Sequence, residues 1–356
     1  MTTQSNNILL QASGIIYNRS EESDRNYGPF SEGMERAASI ASGMSGKDMD
    51  ARDMFNALIA LKLSRESYCH KEDNMLDLVA YVAAKNNYED ENPRPKPLNK
   101  KVQILKDIFE NGEKIIVRDS ETIECLDFSF KFDNAYEARF WNLDGRKFSS
   151  TYIKEELKWY FNADRYDTSI CEHAKIWKKL ICEDGGINSN YGAIIFNGPF
   201  ENVIKMLKAD RYSRRAVIMI ADNETYASDC QDYHCTKSLT FNIRKNKLNM
   251  SVEMRSNDAV FGLTNDAAFF TILQEMLLVK MKVIYPELSM GYYNHSANSM
   301  HIYKRHYNMV KNIIENNKEF ETVCPKISSA IEVDFLLSKN KMSFKDDFEF
   351  SKWLIE

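Results

Sequence analysis

The sequence predicts an α+β protein in which a small all-α helical domain precedes a larger mixed-sheet domain. Three observations carry this. Apolar residues recur at helical spacing through the first 88 residues, a proline-dense connector follows, and beyond it short alternating apolar runs surround one long apolar helix. The boundaries read as 1–88 for the all-α domain, 89–101 for the connector and 102–356 for the α+β domain. A chain of 356 residues is long enough for two cores.

The first domain rests on three apolar stripes. Met34, Ala37, Ala38, Ile40 and Ala41 share one side of a helix over 31–43. Met54, Phe55, Leu58, Ile59 and Leu61 do so over 52–66, and Met75, Leu78, Val79 and Val82 over 73–85. Amphipathic helices of this kind pack as a bundle. The connector holds Pro93, Pro95 and Pro97, which keep a chain extended and stop helices. Beyond it, 216–221 is a short apolar run read as a buried strand. Leu248, Met250, Val252 and Met254 alternate like a strand with one buried face. Phe241 and Ile243 precede them across Lys245, Asn246 and Lys247, which reads as a hairpin. Residues 266–284 are apolar nearly all round, predicting a helix at the centre of the domain, ended by Pro286.

Composition narrows the function. Hydrophobic residues at 44% and aromatics at 12% argue against disorder. Lys and Arg number 47 against 52 Asp and Glu, a net charge of −5, so no direct nucleic-acid partner is expected. No apolar run approaches the ~20 residues of a membrane helix, and no membrane partner is expected. The first residues show neither a charged n-region nor a cleavage site. The seven cysteines are odd in number and contain no Cys-x-x-Cys pair. Reduced thiols in cytoplasm fit better than a disulfide framework.

Single residues say little alone. Cys235 stands just before the first hairpin strand and by itself reads as a structural side chain sooner than as a nucleophile. Arg214 and Arg215 fit a phosphate cradle or a solvated loop. His301 and Tyr303 lie two apart, on one side of a strand, as a packing pair would.

The order of these residues says more. Glu156 with Trp159, Ile176 with Trp177, Asn188 to Gly192, Ser213 to Arg215, Cys235, Met254 to Asp258, Phe261 with Gly262, Asp266, and His301 to Tyr303 follow one another along the chain. The series resembles the thymidylate synthase superfamily over residues 115–310. The runs 187–192, 254–258 and 301–306 look most like its phage deoxycytidylate (dCMP) hydroxymethylase branch. The resemblance implies a thymidylate synthase-like fold and transfer of a one-carbon unit from 5,10-methylenetetrahydrofolate to C5 of dCMP. Hydration then gives 5-hydroxymethyl-dCMP.

Roles follow by position. Cys235 matches the nucleophile that adds to C6, splitting one hard step into easier ones. Arg255 and Ser256 match the 5′-phosphate site, and Arg118 is the candidate for a further phosphate arginine. Arg214 and Arg215 match a pair reaching across from the partner subunit, which implies a homodimer and arginines that favour the Cys235 thiolate. Asp266 occupies the base-reading position, asparagine in thymidylate synthase; an ionised carboxylate only accepts, which suits the 4-amino group of cytosine. Asn257, next to Arg255 and Ser256 in the chain, is a further base contact. Glu156 matches a buried glutamate that relays protons, and Tyr191 a tyrosine near the nucleophile. Ile176, Trp177, Asp258 and Gly262 match folate contacts, and His301 and Tyr303 the pair on the sugar hydroxyl. Leu180 replaces a second tryptophan. Trp353 and Leu354 fall in a tail that either folds over the site or docks as an ordinary tail. The alternatives are methyl transfer to dCMP or dUMP, and a non-catalytic nucleotide-binding scaffold. The expected location is cytoplasm, that of the host for a phage protein.

Residues 8–88 resemble the all-α nucleotide pyrophosphohydrolases of the MazG and dCTPase type. Glu32 and Glu35, and Asp73 and Asp77, lie about one helical turn apart. Facing carboxylates of this kind hold Mg²⁺, although Asn74 takes the place of one expected acid. Tyr27 to Phe30 and Lys62 to Arg65 look like related phage modules. A dCTP pyrophosphatase would supply dCMP to the second domain; the alternative is a solvated acidic face on a structural bundle.

Overall fold

The computed structural model describes residues 8–14, 30–93, 97–223, 230–338 and 347–356. The chain divides into two compact units, Met1–Pro97 and Leu98–Glu356.

In the first unit, α1 (Phe30–Ser45), α2 (Ala51–Tyr68) and α3 (Glu72–Glu91) follow the three predicted stripes. Helix α2 opens on a capping box between Asp50 and Asp53. Phe55, Ala51 and Tyr88 form its core, with Phe30, Met34 and Ala84 packed on them. The stripes are wider than that core: Ile40 is 63% exposed and Val82 50%. Tyr27 lies outside the described residues, while Phe30 stacks on Tyr81 at 5.9 Å. The expected Mg²⁺ site is not formed. Lys62 Nζ lies 2.5 Å from Asp77 and 3.9 Å from Asp73, so an ammonium already neutralises that pair. Glu35 accepts from the Tyr88 hydroxyl at 3.3 Å, and Glu32 pairs with Arg36. No group of three or more His, Cys, Asp or Glu among the described residues could hold a metal. The connector is also shorter than predicted. Helix α3 runs through Glu91, and α4 (Lys100–Asn111) begins behind an Asn99 cap. Residues 94–96 of the connector lie outside the described residues.

The second unit is built on one six-stranded mixed sheet. Its strands are β1 (Glu113–Val117), β2 (Ser120–Phe132), β3 (Val217–Met219), β4 (Thr236–Arg244), β5 (Lys247–Asp258) and β6 (Ser289–Tyr303). Their order is β1-β2-β6-β5-β4-β3. All neighbours are antiparallel except β5 and β6. The β4–β5 turn falls on Lys245 and Asn246, both with left-handed backbone, as a two-residue hairpin requires. Strand β3, predicted as a buried strand, is an edge strand buried on one face. Among the described residues it pairs with β4 alone, and its two faces differ: Ile218 is buried while Met219 is 63% exposed. The parallel pair needs a crossover. The long apolar helix α9 (Gly262–Lys282) lies in that connection, starting four residues before the predicted helix. Phe269, Phe270, Ile272, Leu273, Met276 and Leu277 are all buried, which explains a sequence apolar nearly all round.

One feature of this unit escaped sequence reading, and a second bears on the alternatives left for the tail. Cys182 and Cys230 form a disulfide, with Cα atoms 5.3 Å apart, which corrects the expectation of reduced thiols throughout. Their separation of 48 residues leaves no local signature. The tail docks through α12 (Glu349–Ile355). Phe350 and Leu354 are buried, Trp353 packs near Phe140, and Ser351 donates twice to the buried Glu332. No helix among the described residues is long and apolar enough to cross a membrane.

Candidate active site

The ends of β5 and β6 lie side by side, with Asp258 opposite His301 and Asn257 opposite Met300. After Asp258 the chain turns into the start of α9, bringing Gly262 and Asp266 to the same end. Cys235 immediately precedes β4, and the Arg255 amide donates to its carbonyl at 2.8 Å. A crevice at the carboxyl ends of parallel strands is where open α/β sheets place ligands.

The loop carrying Cys235 is held by polar contacts. Arg255 donates from Nε to the His234 carbonyl at 2.9 Å and from Nη2 to the Tyr233 carbonyl at 3.0 Å, leaving Nη1 outside these bonds. His234 Nε2 lies 2.7 Å from the Asn188 carbonyl. Asn188 Nδ2 donates to the Asp232 carbonyl at 3.1 Å, and Ser189 donates from both N and Oγ to the Asp232 carboxylate. The Thr236 amide donates to the Tyr191 hydroxyl at 3.3 Å. Tyr191 opens α7 (Tyr191–Ile195) and stacks on Tyr160 of α6 (Ser150–Asn162) at 5.9 Å. The next residue must be glycine. A Cβ on Gly192 would fall 1.8 Å from the Tyr160 carbonyl oxygen.

The thiol of Cys235 and the carboxyls of Asp266 and Glu156 depart from ordinary behaviour. Burial pushes the Cys235 thiol above its usual value. Arg255 pulls it down, Asp266 and Asp232 push it up, and Arg118 pulls it down. Arg255 and Arg118 thus favour the thiolate, while burial in this subunit outweighs them. Burial raises Asp266 to about 7, against the hydrogen bond from Asn257 and with the charge of Asp258. Burial raises Glu156 to about 8, opposed by the hydrogen bond from Tyr152 and reinforced by Asp266. The charge of Asp266 also acts on Tyr152, Tyr160, Tyr191 and Tyr293. Among the residues named from the sequence, the charge of Asp266 thus acts on Cys235, Glu156 and Tyr191.

The remaining candidates fall into groups. Trp177 is half-buried against Trp159 at 5.0 Å and donates from Nε1 to the Tyr152 hydroxyl at 2.9 Å; Tyr152 in turn donates to Glu156 at 2.8 Å. Ile176 beside it is 56% exposed. Asp258 accepts from the Val260 amide at 3.0 Å. A Cβ on Gly262 would lie 3.5 Å from Asp258 Cβ and 3.9 Å from Asp266 Oδ2. His301 and Tyr303 meet edge to face at 5.0 Å, and the charges of Asp258, Arg305, Cys235 and Arg118 act on Tyr303. Arg118 sits at the left-handed tip of the β1–β2 hairpin. Ser256 lies on β5, in register with Ser299. Arg214 and Arg215 are exposed, in the loop before β3, and are not brought to Cys235 by this subunit's hydrogen bonds or ion pairs.

With this geometry in view, comparison with known proteins is decisive. The thymidylate synthase family model matches residues 100–350. The chain belongs to the thymidylate synthase family. Deoxycytidylate 5-hydroxymethyltransferase of Enterobacteria phage T6 is 30% identical over 201 residues, covering 53% of this chain and 79% of that protein. Its counterpart in phage T4 is 29% identical over the same shares. A deoxyuridylate hydroxymethyltransferase of Delftia phage PhiW-14 is 28% identical over 152 residues, covering 38% and 41%. Residues 7–89 match a domain of unknown function, DUF6378, which assigns no activity to the first unit.

Members of the thymidylate synthase family use methylenetetrahydrofolate as co-substrate, and this chain is a folate-dependent one-carbon transferase acting on a nucleotide. In this family member, sequence reading missed several supporting residues. Tyr152 carries a faint signal, since it lies one helical turn before Glu156. Asp232 and Arg146 carry none. Arg146 is buried and donates to the carbonyls of Val260 at 2.9 Å and Trp141 at 3.2 Å, and to Thr264 Oγ1, so it pins the turn between β5 and α9.

The Glu156 environment yields an expected result. Its unfolded counterpart loses its proton near 4.3, whereas the folded group keeps it to about 8. Across that window the native state binds more protons than the unfolded one, so this group lowers stability as pH rises. Glu156→Gln keeps an acceptor for Tyr152 without that cost. Thermal melts should show the variant matching wild type at pH 4 and exceeding it at pH 8, by about 1–3 kcal/mol, while turnover falls. Equal melting differences at both pH values would contradict the raised value.

Proposed function

We propose that this chain is a dCMP 5-hydroxymethyltransferase, acting as a homodimer through its residues 102–356, with residues 1–88 as a separate domain. The single observation that carries this reading is a buried carboxylate, Asp266, whose charge acts on Cys235; the resemblance gives its position to reading the base. An ionised carboxylate accepts from the 4-amino group of cytosine and repels the 4-keto oxygen of uracil.

The chemistry assigned to each side chain follows. The Cys235 sulfur would form a bond to C6, and the C5–C6 electron pair would form the bond from C5 to the one-carbon unit that the folate supplies. C5 then gives up its proton, the bond between that carbon and the folate nitrogen breaks, and water gives hydroxyl to the freed carbon and its second proton to a base, as the Cys235 sulfur leaves C6 with its bonding pair and the ring double bond returns. Glu156, buried and still protonated at neutral pH, holds a proton for these steps, with Tyr152 and Trp177 fixing its carboxyl. Arg255, Ser256 and Arg118 are assigned to the 5′-phosphate, with Arg214 and Arg215 from the partner subunit. His301 and Tyr303 are assigned to the sugar. Ile176, Trp177, Asp258 and Gly262 would hold the folate; Gly262 lies within van der Waals reach of Asp258 and Asp266, which groups two of these residues with the base reader.

Tritium release from C5, run with dCMP and with dUMP and followed by product mass, tests this directly. Release from dCMP with a product carrying the extra oxygen is expected. Release from dUMP alone, or a methyl product, would overturn it. With dCMP, kcat/KM should rise as pH passes about 7, because Asp266 accepts only when ionised and the thiolate of Cys235 grows in the same direction. One observation favours a second reading, a uridylate enzyme. A carboxyl near 7 is also present as the acid, which can donate to a keto oxygen. In that case the profile would fall with pH.

A further inference from the structure

Trp177, Tyr152 and Glu156 form a hydrogen-bonded row whose direction is fixed by chemistry. Trp177 Nε1 lies 2.9 Å from the Tyr152 hydroxyl, and that hydroxyl lies 2.8 Å from Glu156 Oε1. An indole nitrogen only donates, and a phenol has one hydrogen to give. With the indole on its oxygen, the Tyr152 hydroxyl turns that hydrogen to Glu156. Each bond in such a row polarises the next and strengthens it. Tyr152 and Glu156 are one turn apart on α6 and share a face. Trp177 comes from a separate short turn, Trp177–Lys179, none of whose residues is buried. Glu156, at the other end, is 6% exposed. The row thus joins a side chain that an outside molecule can touch to a carboxyl inside the protein.

We propose that Tyr152 is a positioning residue that couples the seating of Trp177 to the hold of Glu156 on its proton. This rests on the role given above to Glu156 and adds a residue that the resemblance does not name. With Trp177 seated, Tyr152 donates to Glu156 and favours the carboxylate, so the proton leaves more readily. With Trp177 displaced, the hydroxyl is free to turn and accept from the protonated carboxyl, which then keeps its proton. The coupling is reciprocal: loss of the proton tightens the seat of Trp177. Trp177 is assigned to the folate, so the co-substrate acts on the proton of Glu156 through Tyr152. Glu156 also interacts with Tyr160 on the same helix and with Asp266 on α9, whose charge opposes its ionisation. Glu155, next in the chain, pairs instead with Lys158 at 2.8 Å and His173 at 3.6 Å.

Infrared spectra of the full chain without ligands, titrated across neutral and alkaline pH, test this. The band of a protonated carboxyl that Glu156→Gln removes belongs to Glu156 and separates it from Asp266. In wild type that band should fade with a midpoint near 8. Tyr152→Phe keeps the ring, breaks both bonds and should raise the midpoint by about one to two pH units, the worth of a hydrogen bond to a charged group. Trp177→Phe touches no atom of Glu156 and should still raise it, by about half a pH unit. Added to Tyr152→Phe, it should raise it no further. A midpoint unmoved by Trp177→Phe, or moved equally with and without Tyr152, overturns the coupling. So does the absence of any band that Glu156→Gln removes, since Glu156 then holds no proton. If Tyr152→Phe does not fold, the shift in Trp177→Phe alone decides. A protein that shows these shifts yet transfers no one-carbon unit supports the coupling and refutes the proposed reaction.

Discussion

Cys235→Ser should fold, bind dCMP and release no measurable tritium from C5. The expected loss in kcat is on the order of 10³-fold to 10⁶-fold, the range seen when a covalent nucleophile is removed. The substitution changes one atom. The bonds that shape the loop run to the backbone carbonyls of Tyr233, His234 and Cys235 and to the carboxylate of Asp232, none of which depends on the sulfur. Binding and melting temperature should therefore stay near wild type. Turnover within tenfold of wild type would reject the covalent step and, with it, the role given to every residue around it.

Asp266→Asn should reverse the choice of base. An asparagine amide both donates and accepts, so it tolerates a keto oxygen where the carboxylate repels one. The ratio of kcat/KM for dCMP over dUMP should fall by about a thousandfold, since a buried group left facing the wrong partner loses several kcal/mol. The same change removes a charge that raises Cys235, Glu156 and Tyr191. Cys235 should then ionise more readily and the activity profile should move to lower pH. A variant that keeps its preference for dCMP would place base recognition elsewhere.

How much of this was legible beforehand depended on whether the signal was local. The hairpin at Lys245 and Asn246 could be read because alternation and a short polar turn lie next to each other in the chain. Helix α9 could be read because a helix buried on all sides must be apolar on all sides. The edge position of strand β3 could not be read because an apolar run does not say whether a strand has one neighbour or two. The Mg²⁺ expectation failed for a similar reason. The spacing of Asp73 and Asp77 marks a shared helical face, but the cation facing them, Lys62, comes from a different helix. In the candidate active site, Glu156, Cys235 and Asp266 were identified through the resemblance, which orders them along the chain. The residues that hold them are spread more widely. Arg146 reaches 114 positions along the chain to Val260, and Asn188 reaches 44 to Asp232, distances over which no sequence period operates.

The Cys182–Cys230 bridge closes a covalent ring whose second anchor stands five residues before Cys235. Such a ring restricts the unfolded chain and adds on the order of 3–4 kcal/mol of stability. Mercaptans are commonly added to keep a reactive sulfur from oxidising. Here the same reagent opens the ring next to the sulfur it protects. Rates taken with and without it therefore belong to two differently tethered catalysts, and only a side-by-side titration of the reagent tells protection of one cysteine from release of the other two.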